Sequence, residues 1–238
     1  MKNVFLRLLG FVVAVPALAS CDPSLNLIQV APGCPDMPLR GPAEYLPASP
    51  DAVIDDFDDG DLWLKRAEGR TGSWVGVATP GAATGLLTEW SDECIAHGTY
   101  SGHLAATTIT NYGANWNAVL IDPFALARPF DAHNYSGFSF WVAAGKNAAL
   151  PLELPIGVMT IDTSGPGGVC SQCGDYYRVK GNIPLTHTWT RWVVKFADLG
   201  QSGVGSPQVP LNKNELVSLM IWPEKTSDIW IDDVRFEP

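Results

Sequence analysis

No window of this chain holds a 3.6-residue apolar period for three helical turns, which constrains the fold more than any motif does. From residue 51 onward the chain breaks instead into short apolar runs separated by Gly, Pro, Asn and Asp. Runs at 53–57, 73–78, 86–90, 103–111, 115–121, 136–144, 152–160, 175–184, 190–196, 215–222 and 228–236 read as strands. Alternation is clear in two of them. Trp192, Val194 and Phe196 share one face, as do Phe138, Phe140 and Val142. Residues 212–216 form one helical turn at most. Such spacing predicts an all-β fold, a two-sheet antiparallel β-sandwich of jelly-roll type. The 23 Gly, 19 Pro and 9 Trp agree with a turn-rich β protein.

The first 50 residues stand outside this pattern. Lys2 and Arg7 flank a short basic region, and residues 8–18 are apolar apart from Gly10 and Pro16. That run is too short to span a membrane and reads as the apolar part of a signal peptide, residues 1–20. It ends in Leu18-Ala19-Ser20-Cys21, which resembles the bacterial lipobox and predicts lipidation at Cys21. Several acyl chains there give a stable membrane anchor. The alternative is an ordinary signal peptide with Cys21 incidental. Residues 21–50 carry seven prolines (Pro23, Pro32, Pro35, Pro38, Pro42, Pro47 and Pro50) and read as an extended tether to a domain at 51–238. The expected location is the periplasmic or cell-surface side of a bacterial membrane, held through the lipid alone.

Export makes disulfides the default use of the remaining Cys34, Cys94, Cys170 and Cys173. Three connectivities are possible. The favoured one joins Cys170 with Cys173 as a loop staple between glycines and Cys34 with Cys94 as a tie from tether to domain. The charge is strongly acidic. The chain has 15 basic and 25 acidic residues, net −10; loss of Lys2 and Arg7 with the signal leaves 13 against 25, net −12. That disfavours nucleic acid and suits neutral sugars or divalent cations. The acids crowd at Ile54-Asp55-Asp56-Phe57-Asp58-Asp59-Gly60-Asp61 and recur in the last strand at Asp232-Asp233. Asp56 and Asp58 share one strand face and Asp55 the other. If first and last strands are neighbours, Asp56, Asp58 and Asp232 would form an oxygen-rich calcium site with carbonyls of residues 101–103. Solvated strand ends are the plainer alternative.

The order of motifs resembles carbohydrate-binding module family 11 and related galactose-binding-like jelly rolls. It starts with Asp55-Asp56-Phe57-Asp58 and continues through Ser101-Gly102-His103-Leu104 and Trp116-Asn117-Ala118-Val119-Leu120. Tyr135-Ser136-Gly137-Phe138-Ser139-Phe140-Trp141 and Thr188-Trp189-Thr190-Arg191 follow. The series ends in Trp222 and then Ile229-Trp230-Ile231-Asp232-Asp233-Val234-Arg235-Phe236. It covers nearly all of 51–238. The pair Gly167-Gly168-Val169-Cys170 and Cys173-Gly174-Asp175-Tyr176 is similar to an insertion in secreted relatives, whereas the loops 162–173 and 201–210 depart from the family. The resemblance implies a β-sandwich that binds polysaccharide on a concave sheet face, with structural calcium at the sheet margin and no chemistry of its own.

Sugar rings pack their C–H faces on aromatic rings while their hydroxyls need fixed polar partners. Trp222 is the first candidate, because period two places Val217, Leu219 and Ile221 in the core and turns Leu216, Ser218, Met220 and Trp222 outward. Tyr112, Asn115 and Trp116 surround a glycine turn, with Trp116 equally able to plug the core. Asp175, Tyr176 and Tyr177 follow the proposed staple, and one of the two tyrosines must face inward. Trp74, Glu153 and Arg178 are secondary. Trp141, Trp189, Trp192 and Trp230 are assigned to packing. The expected protein is a monomer that binds glycan. Two other classes compete: an adhesive lipoprotein using an apolar patch at Met220 and Trp222 for a protein partner, and a glycan-active hydrolase or lyase. For the latter, Glu89, Asp92 and Glu93 read as loop residues. His97, His103, His133 and His187 are scattered, and no serine sits in a nucleophile-elbow pattern.

Overall fold

The structure is a computed structural model that describes residues 33–37, 49–110, 113–121, 128–164, 175–203 and 208–238. Cys21, Tyr112, Cys170 and Cys173 lie outside them. In chain order the strands are β1 (Val53–Asp55), β2 (Trp74–Ala78), β3 (Ala83–Thr84), β4 (Leu87–Ser91), β5 (Ser101–Ala106) and β6 (Thr108–Ile109). Then come β7 (Ala114–Val119), β8 (Gly137–Ala144), β9 (Leu152–Leu154), β10 (Ile156–Thr160) and β11 (Tyr177–Val179). The last are β12 (Ile183–Leu185), β13 (Thr190–Lys195), β14 (Leu199–Gly200), β15 (Leu216–Ile221) and β16 (Ser227–Glu237). Helical structure among the described residues is confined to single 3-10 turns, as the missing 3.6 period demands.

Two six-stranded antiparallel sheets carry the fold. The first runs β13-β8-β16-β5-β4, with β1 also pairing to β16; the second runs β14-β11-β10-β15-β7-β2. Between them lies one core. The first sheet contributes Phe138, Phe140, Val142, Leu104, Ile229, Ile231 and Phe236, and the second Trp74, Trp116, Ala118, Val158, Leu219 and Ile221. Alternation puts every second residue of these strands inside, which is why the sequence pattern predicts the sandwich. Trp192 packs against this core as expected.

Parity fails within β15, as it does near Asp233 in β16. The register between β10 and β15 shifts between Met159 and Thr160, so that Ser218 faces Met159 but Leu216 faces Thr160. This irregularity turns Leu216 into the core and leaves Val217 half-buried, opposite to the period-two expectation for those two residues.

Part of the expected tether belongs to the folded unit. Cys34 is bonded to Cys94, and Asp36 bridges Thr188 in parallel, with the Asp36 N–H donating to the His187 carbonyl at 2.5 Å. This short strap covers a second apolar cluster on the outer face of the first sheet, made of Cys34, Cys94, Ala143, Trp189 and Trp230, with Trp141 and Met37 packed against it. The packing role read for those tryptophans holds. The domain therefore includes residues 33–37, upstream of the boundary expected at 51.

Candidate functional site

The acidic opening is a brace. Asp55 is fully buried; its carboxylate accepts the Phe57 N–H at 2.8 Å and the Trp74 indole N–H at 2.9 Å. That tight turn holds Phe57 at a left-handed φ of 56° and drives its ring inward. Gly102 makes room for it, since a Cβ there would lie 2.7 Å from the ring. Burial raises the Asp55 carboxyl well above its usual range, against the two donors that lower it. Asp56 and Asp59 both pair with Lys65 at 2.9 Å, and although desolvation lowers it, these two carboxylates raise the Lys65 ammonium. Asp58 accepts the Thr99 N–H at 2.5 Å and the Tyr100 N–H at 3.3 Å. Asp232 is fully buried and accepts the N–H groups of Ala96, His97 and Asp233 at 3.1, 2.8 and 2.7 Å. Burial pushes its carboxyl up to about 8, against those three bonds.

The first and last strands do pair, as expected, and Asp58 and Asp232 reach the same 96–100 loop. The expected calcium set does not fit what they touch, however. A cation needs carboxylate oxygens turned toward a common centre, whereas Asp58 and Asp232 turn oxygens to the N–H groups of the 96–100 loop and Asp56 turns one to Lys65. Among the described residues no three His, Cys, Asp or Glu side chains come together to hold a metal.

The outer face of the second sheet is a different surface. Leu219 points into the core, so Ser218, Met220 and Trp222 point away from it. Across the sheet, Met220 is level with Gly157 and Arg178 on one side and with Asn117 and Val75 on the other. Trp222 is half-buried and meets half-buried Tyr176 in an edge-on pair, ring centres 6.4 Å apart. Gly157 keeps the floor bare between their strands, since a Cβ there would lie 1.9 Å from the Tyr177 carbonyl oxygen. The two tyrosines resolve cleanly. Tyr177 is buried, and its hydroxyl donates to the carbonyls of Val209 and Pro210 at 2.8 and 3.0 Å. Burial pushes Tyr177 up to about 12, with Asp162 and Asp175 adding to it, and burial alone raises Tyr176. Tyr176 is the outward one.

Beside Arg178 the face drops into a cleft of about 620 Å³. Glu153, Arg178, Lys180, Asn182, Gln201, Ser202 and Glu224 supply its polar groups. The Asn182 amide donates to the Glu153 carboxylate at 3.1 Å. Aromatic rings next to hydroxyl-matching amides and charges form the arrangement a sugar chain requires.

Other expected contributors sit elsewhere. Trp116 is fully buried, its indole N–H donating to the Leu87 carbonyl at 2.9 Å, so it is the core plug and offers no ring to a ligand. Trp74 is also in the core. Asn115 is half-buried on the outer face and accepts a bond from the Asn117 amide at 2.5 Å. Asp175 is buried and spends its carboxylate on the following loop, accepting from the Ser202 N–H and hydroxyl, the Gly203 N–H and the Gln208 amide at 2.7, 2.5, 2.9 and 3.0 Å. Its part is to shape the wall that carries Gln201 and Ser202. Met220 is buried, so the open apolar patch expected to join it to Trp222 for a protein partner does not form.

Two outward tryptophans escaped the sequence reading, Trp90 on the first sheet and Trp63 beside the second. Trp63 is 54% exposed and bridges Ser73, on the side of β2 opposite the buried Trp74. Val75 and Val77 continue that side at 40% and 46% exposure. The signal was present in Leu62-Trp63-Leu64, whose two leucines pack inward around an outward tryptophan. Five strand spacings of about 4.8 Å separate the Trp63 segment from β11, about 24 Å in all.

No sequence-family model matches the chain, and no curated protein matches it in sequence. Solved structures do match in shape. The family 11 carbohydrate-binding module of a cellulosomal cellulase from Clostridium thermocellum aligns over 78% of this chain and 92% of its own, at 16% identity and TM-score 0.51. The same organism's family 11 module in complex with a β-1,3-1,4-mixed-linked tetrasaccharide aligns over 78% and 94%, at 14% identity and TM-score 0.52. At this identity the likeness establishes the fold, a carbohydrate-binding-module jelly roll.

Proposed function

We propose that this chain, which has the jelly-roll fold of the family 11 carbohydrate-binding modules, binds polysaccharide on the outer face of its second sheet and does no chemistry on it. The observation that carries this is the half-buried Trp222/Tyr176 pair, each ring two residues from a side chain that lines the polar cleft (Glu224 and Arg178). Trp222 and Tyr176 stack on sugar rings, the cleft side chains bond hydroxyls, and Trp63 with Asn115 extends the surface. The length of the face favours an oligosaccharide stretch over a single sugar. Affinity is expected to be weak, because a shallow surface orders few groups. The fold's likeness to a module solved with a bound tetrasaccharide supports the same reading. The motif at residues 18–21 supports export and anchoring through a lipid on Cys21, which would hold glycan near the cell or the cell near glycan. Metabolic labelling with a fatty acid tests the anchor: labelling lost in Cys21→Ser supports it, and labelling retained in that variant refutes it.

A hydrolase reading has one observation behind it, since Glu153 and Glu224 line the same cleft. Glycoside cleavage needs one carboxyl held protonated by its surroundings. The two carboxyls that burial raises, Asp55 and Asp232, line no part of that cleft. Affinity gels of the full-length chain against β-glucan, xylan and mannan test the binding reading, with reducing-end release measured in parallel. Retardation without release supports binding. Release that disappears in Glu153→Gln or Glu224→Gln would replace it with hydrolysis, and a folded protein retarded by no glycan would end both.

A further inference from the structure

Arg178 and Lys180 lie two residues apart on β11 and the turn after it, so both project to the outer side, and both line the cleft beside Tyr176. Among the described residues neither makes an ion pair, although acidic residues outnumber basic ones 25 to 15 in this chain. Arg66, Lys195 and Lys225 likewise make no ion pair among the described residues, so what sets Arg178 and Lys180 apart is their place together in the cleft. Several basic groups elsewhere are spent on carboxylates. Lys65 holds Asp56 and Asp59, Lys146 holds Asp36, Arg191 holds Glu237 and Arg235 holds Asp233. Two carboxylates also line the cleft: Glu153, which accepts from the Asn182 amide, and Glu224, which follows Trp222 in the chain. A guanidinium fork presents parallel N–H donors matched to a carboxylate, and an ammonium two positions along adds a second positive charge.

We infer that the cleft selects an acidic polysaccharide, one whose sugar carboxylate docks on Arg178 and Lys180 while a neighbouring ring packs on Tyr176 and Trp222. The class is a uronate-containing glycan. This rests on the binding function proposed above and adds the charge of the ligand to it. Glu153 and Glu224 line the same cleft and repel a carboxylate placed beside them, which holds the ligand's charge to the Arg178 and Lys180 positions.

The test uses matched pairs of polymers: polygalacturonate, alginate and glucuronoxylan, each beside its carboxyl-reduced counterpart, with a neutral β-glucan alongside. The full-length chain is run through affinity gels containing each. At least one uronate is expected to bind about tenfold more tightly than its reduced counterpart, with the preference fading as salt is raised. The double variant Arg178→Gln/Lys180→Gln is expected to lose that preference while keeping its melting temperature. Equal retardation by both members of every pair overturns the acidic specificity and leaves the binding function standing. A preference that survives in the folded double variant overturns the assignment to these two residues. Retardation by no polymer, neutral or acidic, removes the binding function and this inference with it.

Discussion

At the scale of single residues, two tryptophans that look alike in sequence have opposite jobs. Trp222 leaves the core on the outward side of its strand, whereas Trp116 sits wholly inside and bonds the Leu87 carbonyl. Substituting Trp222 with Ala is expected to weaken glycan retardation at least tenfold and to leave the melting temperature nearly unchanged. Substituting Trp116 with Ala is expected to cost about 3–5 kcal/mol of stability, read by urea unfolding, because it opens a cavity between the sheets. Asp55 makes the same point for charge. Asp55→Ala strands two buried donors, the Phe57 N–H and the Trp74 indole, and is expected to destabilise the fold by about 2–4 kcal/mol in the same assay. The acidic cluster that stands out most in the sequence is thus structural, and its most important member is the one hidden from solvent.

At the scale of elements, the strap at 33–37 and the 96–100 loop set the limits of the domain. The Cys34 to Cys94 bond spans 60 residues, so it removes considerable freedom from the unfolded chain. Replacing both cysteines with Ser is expected to lower stability by about 2–4 kcal/mol in urea titration. The 96–100 loop is capped by Asp58 and Asp232 through its backbone N–H groups. Where this N–H capping alone holds the loop, chelation by EDTA is expected to leave the melting temperature unchanged. A fall of several degrees on chelation would show a stabilising metal after all. This part of the site could not be read from sequence. Spacing brings carboxylates to one end of the sandwich, but only the loop's path decides whether N–H donors or carbonyl oxygens meet them.

At the scale of the whole molecule, buried and bridged titratable groups set a pH dependence of opposite sign to ordinary acid denaturation. His103 stacks on Trp230, ring centres 4.1 Å apart, and its ring nitrogens meet Asp228 at 2.9 Å and Glu89 at 3.1 Å. Although burial lowers it, those two carboxylates raise the imidazole overall. Its contribution is complete below the unfolded value of about 6.5 and is lost as pH rises through the raised folded value. Asp232 acts in the same direction, since its carboxyl rises from 3.8 to about 8 in the fold and its ionisation is the costly step. The urea midpoint is therefore expected to fall between pH 6 and pH 9, and His103→Gln should flatten part of that slope. A midpoint that rises over this range would contradict the geometry of both groups.

The sequence alone determined the all-β class, the sandwich, most strand positions and the outward side of Trp222, while the Cys34 to Cys94 tie, one of three possible pairings in sequence, was decided by the fold. Each of the former follows from alternation or from small-residue punctuation, which local chemistry imposes on any chain. Tertiary structure alone decided which of Tyr176 and Tyr177 faces out, that Trp116 is core, that Asp175 clamps a loop, and that Trp63, Arg178 and Lys180 belong to one face. Period two says that neighbours oppose each other without saying which side is inside. A one-residue irregularity, as at Leu216, reverses that choice for what precedes it. The cleft is assembled from β9, β11, β14 and the segments after β11, β14 and β15, which are far apart in the chain. Only the sheet order, set by packing over the whole core, brings them together.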